Sequence, residues 1–115
     1  MTEFGHSTAL VGEKNGKYPH GNALLVRGTE ETLIVDPSIS LIGRRAELPR
    51  IDRVVNSHCH EDHIAGNHLF PDVPWHLHEL DRPGIESLEN FEQLYGYAEP
   101  IMAAFRPVLL GQFHY

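Results

Sequence analysis

Val54-Val55-Asn56-Ser57-His58-Cys59-His60-Glu61-Asp62-His63-Ile64-Ala65-Gly66-Asn67 is the stretch on which the reading of this chain turns. It begins in a β-branched run, Arg53 to Asn56, suited to a buried strand. Four side chains that bind hard or borderline cations follow at once: His58, His60, Asp62 and His63. In extended backbone alternate residues face the same side, so His58, His60 and Asp62 are expected to converge while Cys59 and Glu61 point away. Asp62 is expected to N-cap a short helix, Asp62 to Leu69, that Pro71 terminates. Cys59 reads as a small buried filler sooner than as a thiolate ligand. Pairs of histidines two apart are common by chance; four donors in this order, between a strand and a helix, are not.

Outward from this loop, the clearest hairpin is Asn22 to Asp36: Ala23-Leu24-Leu25-Val26-Arg27, a turn around Gly28-Thr29-Glu30, then Thr32-Leu33-Ile34-Val35-Asp36. A strand is also predicted from Thr8 to Val11, before the turn-rich Gly12 to Lys17, and His20 reads as an exposed loop histidine. Ile39 to Pro49 reads as an irregular helical turn or loop leading to the strand Ile51 to Asn56. Beyond the motif, Val73 to His78 reads as a strand with Pro74 near its start, which puts His76 and His78 on one face. Glu79 to Gly84 is expected as a turn. Ser87 to Tyr95 is the best helix, with Leu88, Phe91 and Tyr95 at helical spacing and Gly96 as C-cap. Pro100 is expected to open a second helix, Ile101 to Phe105, ending before Pro107, and Val108-Leu109-Leu110 to start a further strand.

His58-Cys59-His60-Glu61-Asp62-His63 after a hydrophobic strand resembles the His-x-His-x-Asp-His signature of the metallo-β-lactamase superfamily of metal-dependent hydrolases. The resemblance implies an α/β (α+β) fold, the N-terminal half of a metallo-β-lactamase-like αββα sandwich: a mixed sheet with helices on one side. It divides residues 1–115 into a sheet with its metal loop, 1–83, and a helical insertion or lid, 84–107, that shapes a substrate pocket. By the same resemblance His58 and His60 hold a first metal with a third histidine. Asp62 and His63 hold a second, and Asp62 also orients the attacking water. Asp36 supports the metal loop from behind, although Ser38 stands where the family's opening hairpin usually carries glycine. The cofactor implied is zinc, as one or two divalent ions, with iron or manganese as alternatives. Later family ligands, in a His-x-x-Gly-His stretch and beyond, have no counterpart here, and His114 alone lies in the right direction. The chain is therefore expected to be a truncated or half domain with little activity of its own. Its apolar sheet face is then expected to be uncovered and to favour self-association.

Composition narrows the partners. The 115 residues make one domain at most, and the net charge of -7 disfavours nucleic acid and anionic membranes, so a small-molecule substrate is expected. One cysteine excludes an internal disulfide framework and fits a reducing compartment. The start, Met1 to His6, has neither a basic region nor an apolar run, and no segment is apolar enough to span a bilayer, so a cytoplasmic location is expected. Three functions follow in order. The first is a metal-dependent hydrolase of an ester, thioester, lactone or amide; the second is a phosphodiesterase or nuclease of the same superfamily. The third is a non-catalytic metal-binding or dimerising half-domain.

Overall fold

The computed structural model describes residues 2–115, with the side chain of Thr2 left aside; Met1, at the head of the N-terminal stretch, lies outside the described residues. Among the described residues six strands form one mixed sheet in sequence order: β1 (Thr2–Phe4), β2 (Ser7–Leu10), β3 (Ala23–Arg27), β4 (Thr32–Val35), β5 (Arg53–Val55) and β6 (Trp75–His76). The first four are antiparallel neighbours, whereas β5 runs parallel to β4 and β6 parallel to β5. The change of direction has a local cause. A short turn joins β3 to β4, but the chain from Asp36 to Asp52 loops back through two 3-10 turns, Ile39–Leu41 and Arg45–Glu47, before β5 begins.

The period-2 pattern then decides the faces. Thr8, Leu25, Ile34 and Val54 are register partners along one row, and all four are buried, as are Leu10 and Ala23 beside them. Leu41, Ile51 and Phe70 complete this core, with Leu48, Leu69 and Val73 packed at its margin. Each fully buried Leu, Ile or Val contributes roughly 1.5–3 kcal/mol. The opposite row, Leu24, Val35 and Val55 with Val26 and Leu33, is half-buried. The mixed α+β architecture is the one expected.

The helical parts are α1 (Glu13–Gly16, a single turn), α2 (Glu61–Ile64), α3 (Pro83–Glu86), α4 (Leu88–Tyr95) and α5 (Glu99–Gly111). The best helix forms as read: the Ser87 hydroxyl accepts from the Asn90 N–H at 3.1 Å, and Gly96 ends the helix at φ 73°. Four local expectations are corrected. The strand after Pro74 shrinks to the edge pair Trp75–His76. His78 leaves the sheet, and its Nδ1 accepts from the Leu80 N–H at 3.1 Å. Pro83 does not close a turn but opens α3, where its missing N–H costs nothing. The helix expected to stop before Pro107 runs on to Gly111, so 108–110 is helical and not a strand. An interior proline costs about 3 kcal/mol. Here Met102 and Leu109, seven apart on one face, are both buried, and Arg106 ties α5 to Glu92 of α4. Lastly, Asp62 does not cap the helix of the motif: α2 begins at Glu61 with His60 in extended conformation at the N-cap position, and a separate 3-10 turn covers Asn67–Leu69.

Candidate metal centre

β4 and β5 are parallel, so their C-terminal ends lie side by side, and both candidate segments leave from there. Asp36 follows β4, and the loop from Asn56 to His60 follows β5. The Asp36 N–H donates to the Val55 carbonyl at 3.0 Å, which pulls the two strand ends together. Asp36 takes φ 51°, a left-handed conformation unusual for a side chain with Cβ. Its hydrogen bonds offset the cost.

The Asp36 carboxylate is the hub of the loop. Oδ1 accepts from the Ser57 N–H at 2.7 Å, while Oδ2 accepts from the Ser57 hydroxyl at 2.6 Å and from His63 Nδ1 at 2.9 Å. Burial opposes its ionisation, yet the hydrogen bonds from His63 and Ser57 prevail and hold the carboxyl below its ordinary range. The protons can then be followed. Ser57 has spent its hydroxyl proton on Asp36, so His58 Nδ1, 2.8 Å from Ser57 Oγ, must be the donor in that contact. His63 likewise donates from Nδ1. In the neutral form of each ring Nε2 then carries the lone pair, the form a metal ligand needs.

The remaining donors lie nearby. His63 Nε2 is 3.4 Å from Asp62 Oδ2, and the His58 ring is 4.2 Å from that of His63 and 4.8 Å from that of His60. The convergence does not come from strand alternation, because β5 ends at Val55 and Asp62 sits in α2. It comes from a bend at Ser57-His58 followed by one helical turn. Burial and the neighbouring His63 and His60 push the His58 pKa down; the hydrogen bond to Asp36 raises that of His63. Among the described residues, no group of three or more His, Cys, Asp or Glu side chains is closed into a cage as the side chains lie. The donor chemistry nevertheless fits a borderline divalent cation: three imidazoles, two of them in the right tautomer, and a carboxylate.

The loop is braced by further residues around it. Asn56 and Asn67, at its two ends, are buried and exchange amide hydrogen bonds at 2.7 and 3.1 Å, and Asn56 also donates to the His63 carbonyl at 2.9 Å. Gly66 packs so closely on Pro37 that an added Cβ would lie 2.8 Å from its carbonyl carbon. Ser38, in the place of the family's usual glycine, is buried and donates to the Gly21 carbonyl at 2.7 Å. Glu61 is only 2% exposed and accepts from Tyr18 and Tyr95. Cys59 is buried, and burial pushes its thiol up to about 11, as a filler and not a thiolate would have it.

His114 stands apart. Its ring stacks on His68 at 4.5 Å beside a cavity of about 160 Å³ lined also by Trp75 and Phe113; its ring pairs with none of the motif histidines. His76 Nε2 lies 3.1 Å from an Arg53 guanidinium nitrogen at the sheet edge.

Fold and loop together define a mixed α+β protein with a histidine-rich loop at the carboxyl ends of parallel strands. The family model described as the metallo-beta-lactamase superfamily matches residues 18–109, and the chain belongs to that superfamily. Its members are generally metal-dependent hydrolases that bind divalent metals, usually zinc. No match was found among the curated proteins or among the solved structures. No helix of the described residues is long and apolar enough to cross a membrane.

Proposed function

We propose that this chain carries the metal loop of a zinc-dependent hydrolase, with His58, His60, Asp62 and His63 as ligands. The supporting observation is that Asp36 engages Nδ1 of His63 directly and, through Ser57, Nδ1 of His58, so that in the neutral rings Nε2 is the nitrogen that carries the lone pair. Zinc is the first expectation, as one ion or two, with iron or manganese as alternatives. When bound, such an ion brings the pKa of water from about 15.7 towards 7 and polarises a substrate oxygen.

The chain's own groups do the rest. Asp36 holds the two imidazoles against rotation and stabilises any positive charge that reaches them. Asp62, its Oδ2 3.4 Å from His63 Nε2, would also orient the attacking water. The substrate class we favour is a small ester, thioester, lactone or amide. A net charge of -7 disfavours a polyanion. A reducing, cytoplasmic setting suits the single buried thiol.

Zinc retained per chain after extensive dialysis tests the ligand set, beside a His58→Ala/His60→Ala control. Retention that the control loses supports the reading; equal zinc in both overturns it. Release of thiol or acid from thioester and lactone panels, against a phosphodiester, then separates the substrate classes. Faster turnover of the phosphodiester would overturn the substrate assignment.

A further inference from the structure

The three motif histidines are not held alike. His63 donates to Asp36 and His58 to Ser57, whereas among the described residues no hydrogen bond is made to the His60 ring. A ligand imidazole without a partner on its other nitrogen must be oriented by packing or lose affinity to rotamer freedom. His60 has such packing. Its ring lies 5.0 Å from the ring of Tyr95, tilted by 34°, at the last turn of α4. Tyr95 is itself fixed: its hydroxyl donates to the Glu61 carboxylate, 2.7 Å from Oε2 and 2.9 Å from Oε1. Tyr18 donates to Oε1 of the same carboxylate at 2.8 Å, from the other end of the sequence.

Burying a carboxylate is costly unless its lone pairs are satisfied. Glu61 is buried between two donors of the loop, next in sequence to both His60 and Asp62, and two tyrosine hydroxyls satisfy it. A surface glutamate would serve the loop's solubility equally well, so the burial calls for another reason. The carboxylate and the ring it anchors bear on the one histidine that lacks a hydrogen-bonded partner.

We propose that Tyr95 is the positioning residue for His60, with its ring set against the imidazole and its hydroxyl pinned by Glu61, which Tyr18 shares. The inference rests on the metal-ligand reading above. It links the helical segment to metal retention: movement of α4 would loosen His60 while leaving His58 and His63 in place.

The test is zinc affinity by competition with a chelating dye, with cobalt(II) absorption as the readout of ligand geometry, on the full chain. The variants are Tyr95→Leu, Tyr95→Phe and His58→Ala/His60→Ala, and the thermal midpoint of each zinc-free protein is recorded. Loss of an orienting partner lowers metal affinity about 10- to 100-fold. Tyr95→Leu is expected to fall in that range, with an altered cobalt spectrum; its zinc-free midpoint is expected below that of the parent, because Glu61 loses one of its two donors. Tyr95→Phe, which keeps the ring and loses the pin, is expected in between. Parent-like affinity in Tyr95→Leu, with zinc still lost in the double-histidine control, would overturn the role of Tyr95 and leave the ligand reading standing. Equal zinc in parent and control would overturn the ligand reading and this inference with it. If Tyr95→Leu does not fold, Tyr95→Phe decides: unchanged affinity and spectrum overturn the proposal, and weakened affinity with an altered cobalt spectrum supports it. An affinity loss with an unaltered cobalt spectrum would show a merely structural residue, and would also overturn it.

Discussion

The loop from Asn56 to Asn67 is gripped from two sides, and the grips differ in kind. On the sheet side, Asp36, Ser57, Asn56 and Asn67 hold it by short, directional hydrogen bonds that start from the ends of two parallel strands. On the helical side it is held by ring packing of Tyr95 on His60, and by a buried carboxylate shared with tyrosines from distant segments. Hydrogen bonds specify a tautomer and a direction; packing restricts a rotamer but leaves protonation open. The sheet side therefore sets the chemistry of His58 and His63, and the helical side governs how firmly His60 stays in place.

The sharpest way to break this comparison is at its hub. Asp36→Ala removes three hydrogen bonds at once, from the Ser57 N–H, the Ser57 hydroxyl and His63. It is expected to lower zinc affinity by about 100-fold. It should also cost about 3 kcal/mol in urea unfolding of the zinc-free protein, as several charge-assisted bonds are lost together. A larger affinity loss in Tyr95→Phe than in Asp36→Ala would reverse the ranking of the two sides.

Glycines sharpen the contrast, because they fail for different reasons. Gly66→Ala drives a Cβ to within 2.8 Å of Pro37 backbone, so the loop must move from the strand end. About 2–3 kcal/mol is expected, read from the urea midpoint, with a fall in retained zinc. Gly96→Ala meets open space, and only the φ of 73° opposes it. About 1 kcal/mol is expected there, with zinc retention unchanged. Equal effects on zinc at both positions would show that the α4 terminus matters to the loop as much as the sheet does.

Between these lies Asn67→Ala, which leaves the buried Asn56 amide oxygen without its donor and its NH2 with the His63 carbonyl alone. A loss of about 1–2 kcal/mol is expected. Amide exchange should quicken at His63 and Gly66 before it does so in β3 and β4. Unchanged exchange at those two amides would mean that the asparagine pair does not clamp the loop.

Several of these residues were legible in the chain and several were not, for reasons that can be named. The hairpin of β3 and β4 followed from two apolar runs on either side of a glycine turn, and α4 from its spacing and its terminal Gly96, because both signals are local. Asp36 could be read as a support for the loop only through the family resemblance; its neighbour Ser57 carried no signal at all. Glu61 was read only as pointing away from the ligands, since a glutamate next to histidines has no pattern that foretells burial. What buries it is Tyr18, 43 residues away, and Tyr95, 34 away. Pro107 looked like a stop, and the burial of Met102 and Leu109 overrode it.

By itself, then, the amino-acid sequence determined the class of the protein and the strands that lead to the loop, and it named the candidate donors, because apolar runs and ligand chemistry are properties of short stretches. Only the tertiary structure decided which ring nitrogen of His58 and His63 is free, that α5 passes through a proline, and that Glu61 is a buried junction. Each of these depends on groups far apart in sequence meeting at hydrogen-bond or van der Waals distance, and the energies of such meetings outweigh local preference.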